Sequence, residues 1–243
     1  MSWPWLRAPR TWTRSVEPVL LVSLLIVVAA VWGFAELADE VMEGQTQTFD
    51  ERLLVALRQP GDLAQPRGPW WLPEAARDIT ALGGVAVLAL ATTGVAGFLA
   101  LSRRPGMLIF VLIAIGGGTA LSSLLKTAFP RERPSVVPHL AVVSTPSFPS
   151  GHSLMSAVVY LTLGALLTTT VGPRRLKIYL LAVAVVLSGL VGLTRVYIGV
   201  HYPTDVLAGW MTGLAWAALC WTVAHWLQRR GTVEPEPRPD GPA

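Results

Sequence analysis

Long apolar runs set the first limit on this chain. Six stretches, roughly 18–38, 79–101, 106–127, 153–171, 177–194 and 204–227, are long and nearly free of charge. About 20 such residues cross the hydrocarbon core of a bilayer as one helix. In lipid every backbone N–H and C=O must find a partner within the protein, and an unbroken apolar run meets that demand as a helix. The expected fold class is therefore all-α, a six-transmembrane-helix bundle. Composition agrees: only 14% of the 243 residues are charged, against about a quarter in soluble domains.

The remaining segments divide the chain. Residues 1–17 carry Trp3, Trp5 and Trp12 among Arg7, Arg10 and Arg14, a mix suited to an interfacial arm on anionic headgroups or to a basic tail that orients the first helix. A signal peptide fits poorly, because the apolar stretch 19–35 is long for one and no A-x-A site follows it. Residues 39–78 read as a polar loop with a short helix at 49–58. Pro60, Gly61, Pro66, Gly68, Pro69 and Pro73 supply turns around it. Trp70 and Trp71 mark the membrane surface before the second span. Gly116, Gly117 and Gly118 allow close helix approach in the third. Residues 231–243, rich in proline and acid, read as a disordered tail. The domain reading is an arm at 1–17, a six-span domain at 18–230 and the tail.

Basic residues set the expected orientation. Arg103 and Arg104, then Arg174, Arg175 and Lys177, then Arg229 and Arg230 fall on the same side as the N-terminal arginines. Positive flanks stay in the cytoplasm. Both termini are thus expected inside, in a bacterial inner or plasma membrane. The loops after spans 1, 3 and 5 then face the periplasm or the exterior. The net charge of +4 belongs to these flanks, so it speaks of membrane orientation and not of nucleic acid. Cys220 is alone and lies in an apolar span, so no disulfide forms within the chain and the redox compartment is not legible. No C-x-x-C, H-E-x-x-H, carboxylate cluster or nucleotide-binding glycine loop is present. No metal and no cofactor are expected.

Three polar clusters sit at outward ends of spans, where charge is costly. The last runs from Thr194 and Arg195 to His201, Tyr202, Pro203 and Asp205. A helix starting at Pro203 would place His201 and Asp205 across its first turn. A carboxylate there fixes the imidazole tautomer and makes its free nitrogen more basic. Alone, the cluster reads equally well as a helix cap with a satisfied His–Asp pair. The second is Ser147-Phe148-Pro149-Ser150-Gly151-His152-Ser153, a helix start whose N–H groups suit an anion. Its plain reading is a serine cap. The first is Lys126-Thr127-Ala128-Phe129-Pro130-Arg131-Glu132-Arg133-Pro134. Lys126 and Arg133 can converge on phosphate oxygens. Arg131 and Glu132 read instead as snorkelling side chains at the headgroups. Together the clusters supply cations, backbone donors, a His–Asp pair and a second histidine. That is equipment for phosphoryl transfer through a phosphohistidine.

Lys126-x6-Arg133-Pro134, Pro149-Ser150-Gly151-His152 and Arg195-x5-His201-x3-Asp205 resemble the three-part signature of the type 2 phosphatidic acid phosphatase superfamily, relatives of glucose-6-phosphatase and vanadium haloperoxidases. The resemblance covers roughly 105–227 by motif and the earlier spans by topology only. It implies a nucleophile at His201, oriented by Asp205. It implies a general acid at His152, which later serves as base. It implies a phosphate clamp of Lys126, Arg133 and Arg195 completed by Ser150 and Gly151, with no metal. The third motif usually opens Ser-Arg; here it is Thr194-Arg195, which keeps the hydroxyl. His139 and His225 match no motif position.

The function so implied is hydrolysis of a lipid phosphomonoester or diphosphate: a polyprenyl diphosphate, phosphatidylglycerophosphate, phosphatidate or a lipid A phosphate. The alternatives are a membrane phosphotransferase and a catalytically silent protein that binds lipid phosphates. A silent relative usually lacks a histidine or a clamp residue, and this chain keeps them all. A haloperoxidase is disfavoured, since those relatives are soluble. The expected partners are the lipid phosphate and the membrane.

Overall fold

A computed structural model describes residues 18–229. The expected arm at 1–17 and tail at 231–243 lie outside the described residues. Eight helices and one small hairpin make up the rest. They are α1 (Pro18–Met42), α2 (Gln47–Ala56), β1 (Arg58–Gln59), β2 (Asp62–Pro66), α3 (Leu72–Ala81), α4 (Val85–Leu101), α5 (Pro105–Ala128), α6 (Gly151–Thr168), α7 (Arg174–Tyr197) and α8 (Pro203–Arg229). The protein is an all-α membrane bundle.

Five of these helices are long and apolar enough to cross a membrane alone: α1, α5, α6, α7 and α8. The expected second span is not one helix. The chain breaks between α3 and α4, and the two are bent by 43°. Gly83 and Gly84 account for the break, since glycine costs a helix about 1 kcal/mol relative to alanine. Packing also demands it. A Cβ at Gly83 would lie 2.4 Å from Val191 Cγ1 and 3.3 Å from the His152 carbonyl. The chain yields where it passes the start of α6.

α6 is central and packs on α4, α5, α7 and α8. Its contact with α8 uses Gly209-x-x-x-Gly213, a small-residue face that lets two helix backbones approach. A Cβ at either glycine would fall 2.7 Å or less from a backbone oxygen of Ser150 or Leu154. Gly117 meets the Trp216 ring and Gly118 meets Val158, so two of the three glycines expected at a helix contact are there; Gly116 meets nothing. α1 lies on α8 with Leu21, Leu25, Val28 and Trp32 exposed, the face a lipid would cover.

The loop after α1 is more ordered than a polar loop. α2 appears close to its expected place, two residues early. Beyond it Pro60 and Gly61 close a hairpin that pairs Gln59 with Asp62. Proline followed by glycine at positive φ is the chemistry of a type II turn, and Gly61 has φ +86. Trp70 is 91% exposed, as a residue at a membrane surface is.

Candidate active site

The three polar clusters meet at one end of the bundle, beside α2. α7 ends in a Schellman turn. Gly199 N–H donates to Val196 O at 2.9 Å and Val200 N–H to Arg195 O at 3.3 Å, with Gly199 at φ +79. Glycine takes that conformation without strain. The turn is backed by Arg58, whose Nη1 donates to the Tyr197 carbonyl at 2.9 Å. It delivers His201 just before α8.

α8 then starts as its sequence predicts, with Pro203 in the first helical position. Asp205, two residues on, takes the Tyr202 backbone N–H at 2.8 Å, which is half of a capping box. The same Oδ2 lies 3.3 Å from His201 Nδ1 and accepts from Ser147 Oγ at 2.5 Å. Nδ1–H therefore points at Asp205, and the lone pair sits on Nε2. Arg133 Nη1 lies 3.3 Å from that Nε2 and donates to it. Both His201 and Asp205 are buried, at 1% and 0% exposure. Burial pushes the His201 imidazole down to about 4, although Asp205 pulls it up. The ring is thereby kept neutral at pH 7, with its Nε2 lone pair turned toward Arg133.

The cations converge on this ring. Arg133 is held by the Thr145 carbonyl at 2.7 Å, Thr145 Oγ1 at 3.2 Å and the Val200 carbonyl at 2.6 Å. Lys126, in the last turn of α5, donates to the Pro146 carbonyl at 2.6 Å. Its stem runs past Gly151, where a Cβ would come 3.3 Å from Lys126 Cε. Arg195 is 4% exposed and donates to Thr80 Oγ1 at 3.3 Å. Its buried Nε has no hydrogen-bond partner. A buried guanidinium donor left unsatisfied is costly unless a ligand completes it. Arg195, Arg133, Lys126 and the His201 ring are all near enough to His152 to act on it, so the second histidine stands among the cations. Ser150 caps α6 and its backbone N–H donates to the Asp205 carbonyl at 2.9 Å, which ties the second cluster to the third.

All eight residues singled out by the motifs are thus at this end of the bundle. One expectation needs correction. Arg131 does not snorkel. Its side chain is 8% exposed and is bound by Asp205 Oδ1 and Asp50 Oδ2, each at 2.8 Å. Two buried carboxylates hold it more firmly than a headgroup would. The Thr194 hydroxyl, which stands where the family's motif usually has serine, donates to Val191 O at 2.7 Å within α7. Ser147, Thr145, Thr80 and Asp50 were not singled out. Ser147 had a signal, since it opens the quoted heptad; the other three had none. Glu132 and His139 are exposed in the loop between α5 and α6.

The sequence profile of the PAP2 superfamily matches residues 106–229. Phosphatidylglycerophosphatase B of Bacillus subtilis is 32% identical over 187 residues, which cover 74% of this chain and 86% of that protein. The chain belongs to the PAP2 superfamily. A crystal structure of a transmembrane PAP2 type phosphatidylglycerolphosphate phosphatase from Bacillus subtilis superposes with a TM-score of 0.73 at 31% identity, covering 84% of this chain and 98% of that one. A lipid A 1-phosphatase of Rhizobium etli is 31% identical over 129 residues, 49% of this chain and 50% of that protein. This PAP2 protein is an integral-membrane phosphatase of lipid substrates. The family match spans α5 to α8, the helices that carry all three clusters.

Proposed function

We propose that this PAP2 protein hydrolyses the phosphomonoester of phosphatidylglycerophosphate through a phosphohistidine on His201. The observation that carries the reading is the placement of the His201 ring, with Nδ1 on Asp205 and Nε2 beside the Arg133 guanidinium. Nε2 attacks phosphorus while Lys126, Arg133 and Arg195 bear the charge on its oxygens, with the Ser150 hydroxyl and the Gly151 N–H completing the clamp. The bond from phosphorus to the lipid oxygen breaks, and that oxygen takes a proton from His152. Water, losing a proton to His152, then attacks the phosphohistidine and frees inorganic phosphate and His201.

The choice of lipid rests on the Bacillus relative, aligned over most of both chains. An apolar groove of about 200 Å³ between α1, α5 and α8 supports a lipid tail; it is lined by Val27, Val31, Phe34, Leu121 and Leu125, the last adjoining Lys126. Phosphate release should be measured in detergent and excess EDTA. The panel holds phosphatidylglycerophosphate, phosphatidate, a polyprenyl diphosphate and a lipid A phosphate, with His201→Ala as blank. Phosphatidylglycerophosphate should be fastest, and EDTA should not matter because protein cations form the clamp. Faster release from another lipid reassigns the substrate, and loss in EDTA restored by magnesium refutes the clamp.

The basic flanks at Arg103, Arg104, Arg174 and Arg175 support a site on the outer side, with both termini inside. In a Cys220→Ser background, a cysteine at Val142, which is fully exposed, should react with an impermeant maleimide on spheroplasts. A cysteine at Gly172 should not, and the reverse pattern inverts the topology.

A further inference from the structure

Asp205 has two oxygens with different neighbours. Oδ2 takes His201, Ser147 and the Tyr202 N–H, whereas Oδ1 takes Arg131 Nη1 at 2.8 Å. Arg131 Nη2 reaches Asp50 Oδ2 at 2.8 Å. Thr204 sits in the fork. Its Oγ1 accepts from Arg131 Nη1 at 2.9 Å and donates to Asp50 Oδ2 at 2.6 Å, and its N–H donates to Asp50 Oδ1 at 3.1 Å. The guanidinium also lies 4.0 Å over the Tyr202 ring. Asp50 and Asp205 are both fully buried.

We propose that Asp50 and Arg131 are positioning residues that set the orientation and the charge of Asp205, so that the α2 segment of the outer loop completes the reaction centre. The inference rests on the phosphohistidine reading above. Two carboxylates around one guanidinium leave one net negative charge. When Nε2 bonds phosphorus the imidazole becomes cationic, and Asp205 Oδ2 must meet that charge. With Asp50 present, Arg131 divides its charge between two carboxylates. With Asp50 neutralised, the whole guanidinium charge falls on Asp205, and the developing imidazolium loses its counter-ion in a site of low dielectric. A staple that only joined α2 to α8 would not require two acids on one buried arginine. Nor would it place that arginine on the free oxygen of the histidine's own carboxylate.

The test uses full-length protein in detergent and single-turnover phosphorylation by nitrophenyl phosphate, with orthovanadate as the probe of the clamp. Asp50→Asn should slow phosphohistidine formation about 10- to 100-fold, the usual cost of losing a group that orients a reacting side chain. Vanadate affinity should change less than about threefold, because Lys126, Arg133 and Arg195 are untouched. Asp50→Glu should recover much of the rate. Asp50→Asn/Arg131→Gln should be faster than Asp50→Asn alone, since it returns a net negative charge to Asp205. A wild-type rate in Asp50→Asn overturns the proposal. So does a double variant slower than the single one, or a rate and a vanadate affinity that fall together. Should Asp50→Asn fail to fold, Thr204→Val removes the hydroxyl between the two groups, and a wild-type rate there overturns the proposal equally. Absence of label on His201 in the wild-type protein instead refutes the phosphohistidine reading itself.

Discussion

Replacing His201 by alanine should stop turnover on every substrate, with a loss on the order of 10⁶-fold, the scale seen when a covalent nucleophile is removed. Incubation of the wild-type protein with a labelled substrate phosphate should leave acid-labile, base-stable label on the chain, and His201→Ala should leave none. Label that survives the substitution would assign the nucleophile elsewhere. The buried setting of His201 adds a pH signature. Its folded value of about 4 is below the usual 6.5, so the neutral, attacking form persists between those two pH values, where an exposed histidine would be protonated. The acid limb that His201 contributes to kcat/KM should therefore fall near pH 4, after correction for the substrate's own phosphate titration. A limb near 6.5 would mean that Asp205 cancels the effect of burial.

His152→Ala should divide substrates by their leaving groups. General acid catalysis contributes about 10²–10⁴-fold, and only where the departing oxygen needs a proton. A lipid alcohol is a poor leaving group and needs that help; a nitrophenolate leaves readily. The variant should lose most of its activity on a lipid monophosphate and much less in the first turnover of nitrophenyl phosphate. Steady turnover can still lag on both, because His152 is also the proposed base for hydrolysing the phosphohistidine. His201→Ala should be dead on both substrates in the first turnover. Equal losses for the two variants on both substrates at that step would refute the division of roles. Arg195, Arg133 and Lys126 stand around His152, so its substitution leaves the clamp in place and the comparison reads proton transfer.

The pairing of His201 with Asp205 was legible because it is local. Four residues span one helical turn, and Pro203 marks where that turn begins. The apolar runs were legible for a similar reason: hydropathy along twenty residues speaks directly of lipid. The break at Gly83 was not. Two glycines inside an apolar run are compatible with a continuous helix, and only the neighbouring Val191 and the His152 carbonyl make the bend necessary. The hairpin after α2 escaped notice because a two-residue strand carries no alternation to read.

Arg131 shows the limit most clearly. By sequence it is one of two arginines beside a proline, at a span end where basic side chains commonly reach for headgroups. Its partner Asp50 lies 81 residues away, on a helix in a loop, and nothing periodic joins them. Only the docking of α2 against the start of α8 brings Asp50, Thr204 and Arg131 together behind Asp205.

By itself the sequence determined that this chain spans a membrane, that it resembles the type 2 phosphatidic acid phosphatase superfamily, and which eight residues the motifs point to. The first follows from hydropathy; the other two follow from the resemblance of three short motifs to that superfamily's signature. The tertiary structure alone decided that Arg133 meets His201 Nε2, that Thr194 faces its own helix, and that a second buried acid stands behind the Asp205 carboxylate. Such contacts depend on how separate helices and loops pack, and the energy of that packing has no period along the chain.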